Sequence, residues 1–394
     1  MIQWMHRMAV EVPPRLLWKF AYNFGWQSMR AVQKFNKRVQ QDEFVPAFYF
    51  LSLTSACNLS CQGCWVSPKP KRELDIETLH NLINEAKTYG TRFFGLLGGE
   101  PLLYPHLFEL IEAHPDCYFL LFTNGTLLDD TVAARLAKAG NVSPLISIEG
   151  DEVVSDVRRG GNDVYARTLA GLDACRRHRL VTGVATSVCK SNIDGLANAK
   201  FINQLAKRGV HYVWYYIYRP VGPNPVPELA LSIEEIVKLR RFMVEARKTS
   251  PVLIVDAYWD HEGNGLCPAA TGIGHHIGPG GHIEPCPPIQ FAAEQVNGQS
   301  TAAQISGSTF FKEFREQVSS ATRGCVLMDD PELLARIVNE TGARDTSGRG
   351  CAMQELKHMA PCPSHAMTGQ EIPEQTWAYK FAKKNWFFGF GAYG

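Results

Sequence analysis

No stretch of this sequence holds the roughly 18 consecutive apolar residues that a membrane-spanning helix requires. Residues 1–14 lack the basic start, apolar core and small-residue cleavage site of a secretory leader. An excess of either charge is also missing. Forty Lys and Arg face 39 Asp and Glu, a net charge of +1, so whole-molecule electrostatics point to neither nucleic acid nor an acidic partner. Internal repeats and low-complexity tracts are absent. What remains is a 394-residue chain with 45% hydrophobic and 20% charged residues. That is the composition of a globular protein with a sizeable core, large enough for one big domain and a smaller one. The expected location is the cytoplasm.

Cysteine, by contrast, is plentiful. There are eleven, an odd number. In a cytoplasmic chain such a set more often binds metal than forms disulfides.

From residue 48 short apolar runs alternate with amphipathic segments. The runs 48–54, 92–97, 118–123, 144–149, 181–188 and 212–218 read as strands covered on both faces. The segments 75–90, 105–113, 129–139, 165–177, 196–208 and 232–248 read as helices, with Asp75 as an N-cap. Six β-then-α units imply a parallel sheet with right-handed crossovers. Six are too few for a full eight-fold barrel, so the expected fold is α/β, a partial (β/α)6 TIM-like barrel. Its chemistry belongs at the C-terminal ends of the strands. After about residue 260, Gly, Pro and Cys become frequent, and a small Cys-rich C-terminal module is expected.

Directly after the first strand comes Cys57-Asn-Leu-Ser-Cys61-Gln-Gly-Cys64. Three thiolates at these gaps can wrap one corner of a cubane cluster. Four cysteines are the ordinary complement, so a set of three leaves one iron open to a small molecule. A structural zinc site and a chance grouping of buried thiols are the competing readings.

A CxxxCxxC motif at this place in a six-fold β/α chain resembles the radical S-adenosylmethionine (SAM) superfamily, over roughly residues 48–250. The resemblance implies a [4Fe–4S] cluster on Cys57, Cys61 and Cys64, and SAM bound at its open iron. Gly98-Gly99-Glu100-Pro101 resembles the GGEP motif that binds the methionine amino group. Two glycines also permit close backbone approach, and a carboxylate suits an ammonium. Ser147 and Glu149 resemble the ribose-contacting segment, with Glu149 one methylene longer than the usual Asp. Arg159 falls where an Arg can pair with the SAM carboxylate. Asn124 and Ser187, with Asn192, fall where the family lines its pocket, and residues 216–222 (YIYRPVG) where it packs near adenine. One departure is Gly63, which stands before the third cysteine where members often carry an aromatic.

Cys267, Gly281 and Cys286 resemble the start of a SPASM/twitch extension. The dense cysteine run of a full SPASM domain is lacking. One auxiliary [4Fe–4S] cluster is expected, on Cys267, Cys286 and two of Cys325, Cys351 and Cys362. Some of these five thiols could equally be buried core residues. His275 and His276 fall in the same Gly-rich loop and read as solvated or satisfied rather than as ligands.

Both ends are basic and aromatic. Residues 13–40 carry six cations and no acid, and residues 377–394 carry Trp377, Tyr379, Phe381, Trp386, Phe387 and Phe388 with three lysines. Lys mixed with Trp and Phe suits a membrane interface; packing of both ends on the barrel is the alternative. The expected organisation is a helical segment 1–47, a core 48–255, an auxiliary module 256–376 and a tail 377–394. The implied function is reductive cleavage of SAM to a 5′-deoxyadenosyl radical that attacks an unreactive C–H or C=C position. The implied partners are a one-electron reductant such as flavodoxin or ferredoxin and a peptide, lipid or small-metabolite substrate, with peripheral membrane contact and no nucleic acid. An iron–sulfur electron carrier or redox sensor is the reading from another class.

Overall fold

The computed structural model describes residues 1–386. The six apolar runs are six strands: β1 (Phe48–Ser52), β2 (Phe93–Leu97), β3 (Tyr118–Thr123), β4 (Val142–Ser147), β5 (Gly183–Val188) and β6 (Tyr212–Ile217). They pair in sequence order and all in parallel. The helices between them begin and end on local signals. Asp75 accepts a hydrogen bond from Thr78 N and Gly90 closes the helix Ile76–Tyr89 in the left-handed conformation. Ser232 and Glu235 form a capping box on Ile233–Ala246.

The sheet continues past these six strands. β7 (Leu253–Val255) adds parallel to β6, β8 (Gly274–Ile277) adds parallel to β1, and β9 (Ile283–Glu284) turns back antiparallel on β8. β7 and β9 are the two edges, so the barrel is open. The expectation that His275 and His276 lie in a Gly-rich loop is corrected here. Both are in β8 and fully buried. His276 shares hydrogen bonds with Ser52 Oγ at 2.7 Å and Glu284 Oε2 at 2.6 Å. His275 packs its ring on Phe311 at 4.4 Å. A polar pair can serve as a central strand once its polar atoms find such partners or an aromatic cover. The segment after residue 256 is therefore joined to the barrel wall through β8.

The N-terminal segment crosses the opposite end of the barrel. Its helices are Ile2–Glu11, Pro14–Lys19, the wide-turn Phe20–Trp26 and Gln27–Val39. Trp4 Nε1 donates to His211 O at 2.8 Å and Arg7 Nη1 to Pro251 O at 2.9 Å. Lys19 Nζ donates to Ala139 O at 2.9 Å and Asn23 Nδ2 to Pro115 O at 3.2 Å. These carbonyls lie just before β6, β7, β4 and β3, so the segment plugs the N-terminal ends of the strands. The helix Trp377–Asn385 joins the plug, and Trp386 meets Phe24 edge-on at 4.8 Å. Phe387 and Phe388 lie outside the described residues.

Lys383 does not share the outer basic face that the tail's composition suggests. It is buried, and its Nζ donates to Asp256 Oδ1 at 2.9 Å. Arg240, Arg247 and Glu374 complete a buried cluster of three cations and two acids. Burial lowers the Lys383 pKa to about 8. The cluster bolts the tail onto the end of β7. Removing Asp256 leaves three buried cations on the single carboxylate of Glu374. Asp256→Asn is therefore expected to cost about 3–5 kcal/mol of stability, read by urea denaturation. A loss under about 1 kcal/mol would mean that the cluster is solvated.

Candidate active site

At the C-terminal end of the barrel the chain after β1 forms the loop carrying Cys57, Cys61 and Cys64. The turn after β2 docks directly beneath it. Gly99 N donates to Thr54 O at 2.7 Å and Glu100 N to Ala56 O at 2.8 Å. A Cβ on Gly98, whose φ is +148°, would lie 2.4 Å from Thr54 O, and one on Gly99 would lie 2.1 Å from Ala56 O. The two glycines are thus required by backbone-on-backbone packing. Pro101 opens the short helical turn that follows.

The side chain of Glu100 has a different place from the one its motif suggests. It is fully buried, and burial raises its pKa. It accepts from Leu102 N at 3.1 Å, Thr123 Oγ1 at 2.7 Å and Asn124 N at 2.8 Å. The carboxylate so tied fastens the β2 turn to the end of β3. Asn124 is likewise turned to the loop: its Nδ2 donates to Asn58 Oδ1 at 2.8 Å and its Oδ1 accepts from Thr126 N at 2.9 Å. Both side chains brace the cysteine loop.

Glu149, at the end of β4, accepts from Ser187 N at 3.0 Å and pairs with Arg159 Nη2. Arg159 also directs Nη1 at Cys61 Sγ, 3.7 Å away, while its buried Nε has no hydrogen-bond partner among the described residues. Burial pushes the Cys57 thiol up to about 11 and the Cys64 thiol up to about 12. Ser147, Glu149, Arg159 and Ser187 line a cavity of about 380 Å³ together with Cys61 and Cys64.

The departure at Gly63 has a structural counterpart that the sequence did not reveal. Gly63 has φ +69°, and a Cβ there would strike the Tyr218 ring at 2.3 Å. The aromatic at this point therefore comes from the end of β6. The Arg158 guanidinium lies over the Tyr218 ring, 4.5 Å from its centroid. The only sequence signal was a glycine and a tyrosine in two motifs 155 positions apart, and nothing local relates them.

The same cavity is lined by Cys267, Cys286 and Cys325. Cys325 lies within electrostatic reach of Cys267, Cys286 and Cys362. Cys362 N donates to Met328 O at 2.8 Å, in the turn that Cys325 opens. Burial pushes the Cys267 thiol up to about 12 and the Cys362 thiol up to about 11. Cys351 has other surroundings. Its thiol donates to Glu355 Oε1 at 3.1 Å, beside Arg349. Arg219, from the end of β6, lines the same cavity, and its Nε donates to Cys325 Sγ at 3.3 Å. Among the described residues it forms no ion pair with a carboxylate. Cys117, Cys175 and Cys189 are fully buried core thiols.

No three His, Cys, Asp or Glu side chains among the described residues gather as a single metal ion would require. A zinc site needs four ligands on one ion, whereas each cysteine of a cubane holds a different iron. Residues 51–198 match the family model of the radical SAM superfamily. Over this stretch the chain is similar to that superfamily. The matched residues carry the cysteine loop, the β2 turn and the Glu149–Arg159 pair.

Similarity to individual proteins extends further along the chain. It is 33% identical over 213 residues to the AdoMet-dependent heme synthase of Methanosarcina barkeri, covering 52% of this chain and 60% of that one. It is 27% identical over 260 residues to the sporulation killing factor maturation protein SkfB of Bacillus subtilis, covering 62% and 61%. The chain thus spans about three-fifths of the length of these curated relatives. Its fold is similar to that of Streptococcus suis SuiB bound to S-adenosylmethionine, with a TM-score of 0.61 at 14% identity over 72% of this chain and 71% of that one.

Proposed function

We propose that the protein cleaves SAM reductively and directs the resulting 5′-deoxyadenosyl radical at an unreactive carbon of its substrate. The observation that carries this reading is one cavity walled by Cys61 and Cys64 on one side and by Cys267, Cys286 and Cys325 on the other. Cys57, Cys61 and Cys64 would hold the SAM-binding [4Fe–4S] cluster, and Cys267, Cys286, Cys325 and Cys362 one auxiliary cluster of the SPASM/twitch kind. The residues fit such groups. Burial raises the thiol pKa of Cys57, Cys64, Cys267, Cys286 and Cys362, so these five keep their protons until a cation replaces them. Arg159 and Arg219 are cations set against thiols, and a thiolate-held cluster, which is net negative, supplies the counter-charge that a buried guanidinium requires.

When bound, the first cluster supplies the electron that splits SAM into methionine and the radical. The chain's own residues orient and enclose. The carbonyls of Gly98 and Gly99 would accept from the amino group of SAM, since the Gly99 and Glu100 N–H groups are held by Thr54 O and Ala56 O. Ser147, Glu149 and Ser187 face the ribose, and Tyr218 the adenine. Arg159 uses its unpaired Nε–H and its charge at the carboxylate. Glu100 and Asn124 act one step back, by fixing the cysteine loop. Phe50, Phe122 and Trp214 make the deep wall apolar, which excludes water from the radical and suits an apolar group as the one attacked. The electron comes from a flavodoxin or ferredoxin.

The test is 5′-deoxyadenosine release by the reduced, reconstituted protein during screening of candidate peptides and tetrapyrroles, the classes to which SkfB and the heme synthase point by name. Deuterium transferred from a labelled substrate carbon to 5′-deoxyadenosine is the expected outcome. Turnover of a substrate with no SAM cleaved would contradict it.

A further inference from the structure

The plug at the bottom of the barrel has an outer face that no part of the described protein covers. Eleven large apolar side chains are exposed among the described residues, and eight of them lie on this plug. Three belong to the helix Ile2–Glu11. Trp18, Tyr22 and Trp26 are 67, 41 and 52% exposed, and Trp377 and Phe381 are 79 and 52% exposed. Trp18 and Tyr22 stack at 5.6 Å, so the row is ordered. The inner faces of the same helices are spent on the barrel through Leu16, Phe24, Phe35 and Tyr379, which are buried. The outer aromatics are therefore surplus to the fold.

Charge indicates what the face meets. Arg30, Lys34, Lys37, Lys380 and Lys384 are exposed on the same elements. Residues 13–40 contain no acid. Of the acids beside this face, Glu11 pairs with Arg7 and Asp116 with Lys87 and Arg92, while Asp42 and Glu43 follow the helix Gln27–Val39 exposed. Exposed Trp, Tyr and Phe ringed by Lys and Arg fit the headgroup layer of an anionic bilayer, where the rings enter the interface and the cations meet phosphates.

We propose that this face docks the protein peripherally on anionic membrane, bottom down. The orientation follows from the fold. The plug covers the N-terminal ends of the strands, and the cavity opens at their C-terminal ends. A docked molecule holds its cavity away from the bilayer, towards the aqueous phase. Membrane contact then localises the enzyme without feeding it lipid, which removes the link between a basic, aromatic end and a lipid substrate.

The experiment is flotation of the full holo protein with vesicles of phosphatidylglycerol and phosphatidylcholine, and with phosphatidylcholine alone. Co-flotation with the anionic vesicles, release by added salt and little binding to the neutral ones are expected. Trp18→Ser with Trp26→Ser and Phe381→Ser should weaken binding at least tenfold. So should Lys380→Glu with Lys384→Glu, which leaves the buried Lys383 in place. Protein that stays in the soluble fraction at low salt overturns the proposal. So does binding that survives both sets of changes but is lost on removing residues 387–394. A doubled mass in solution that these changes abolish would assign the face to a second copy and would equally overturn it.

Discussion

Replacing Cys57, Cys61 and Cys64 together by alanine is expected to reduce SAM cleavage to background while leaving a folded chain. The three thiols lie on a surface loop beyond β1, and none is among the buried core residues. The barrel below is held by strands, caps and the Glu100 hydrogen bonds, none of which uses a thiol. Circular dichroism and the urea midpoint should therefore change little. Iron should fall from about eight to about four per chain if each cubane holds four irons. Cleavage retained in this variant would mean that the electron reaches SAM from elsewhere, and the assignment of the loop would fail.

The second large effect separates cysteines that sequence alone leaves equivalent. Cys325→Ser is expected to lose the auxiliary cluster, with iron falling to about four per chain, and Cys351→Ser to keep about eight. The difference rests on placement. Cys325 lies within electrostatic reach of Cys267, Cys286 and Cys362 and is approached by Arg219, whereas Cys351 is engaged by Glu355. The absorption of the remaining cluster and its electron paramagnetic resonance signal after reduction identify which one is left. If Cys351→Ser loses iron and Cys325→Ser does not, the ligand set proposed here is wrong. Finding about four irons in the unaltered protein would remove the auxiliary cluster altogether, and the C-terminal thiols would then be lining residues only.

Much of the barrel was legible because its signals are local. β3 runs over the same residues as its apolar run, and Asp75, Asp129 and Ser232 each cap the helix that follows them. β7 and β8 were not legible. Each is three or four residues long, and Gly274-His-His-Ile277 becomes a strand only because β1 offers it an edge and Ser52 and Glu284 satisfy His276. In the site, the spacing of the cysteines and the GGEP turn could be read directly. What the sequence does not carry is where side chains point. Glu100 reads as a carboxylate suited to an ammonium, and in the structure it accepts from three donors of its own chain. Lys383 looked like a surface cation and is buried among Asp256, Glu374 and two arginines. The Gly63–Tyr218 contact joins distant segments and has no sequence signature. The same holds for the meeting of the two thiol sets around one cavity, because their separation along the chain says nothing of their separation in space.

The claim on which all of this depends is that the cavity binds SAM and delivers an electron to it. The most direct measurement is 5′-deoxyadenosine formed from SAM by the anaerobically reconstituted protein after reduction, followed by chromatography. The expected result is 5′-deoxyadenosine accumulating with methionine in equal amounts, dependent on reductant and absent from the triple alanine variant. A protein that takes up its irons, is reduced to the paramagnetic state and yet forms no 5′-deoxyadenosine would contradict the account and would be an iron–sulfur electron carrier or redox sensor instead.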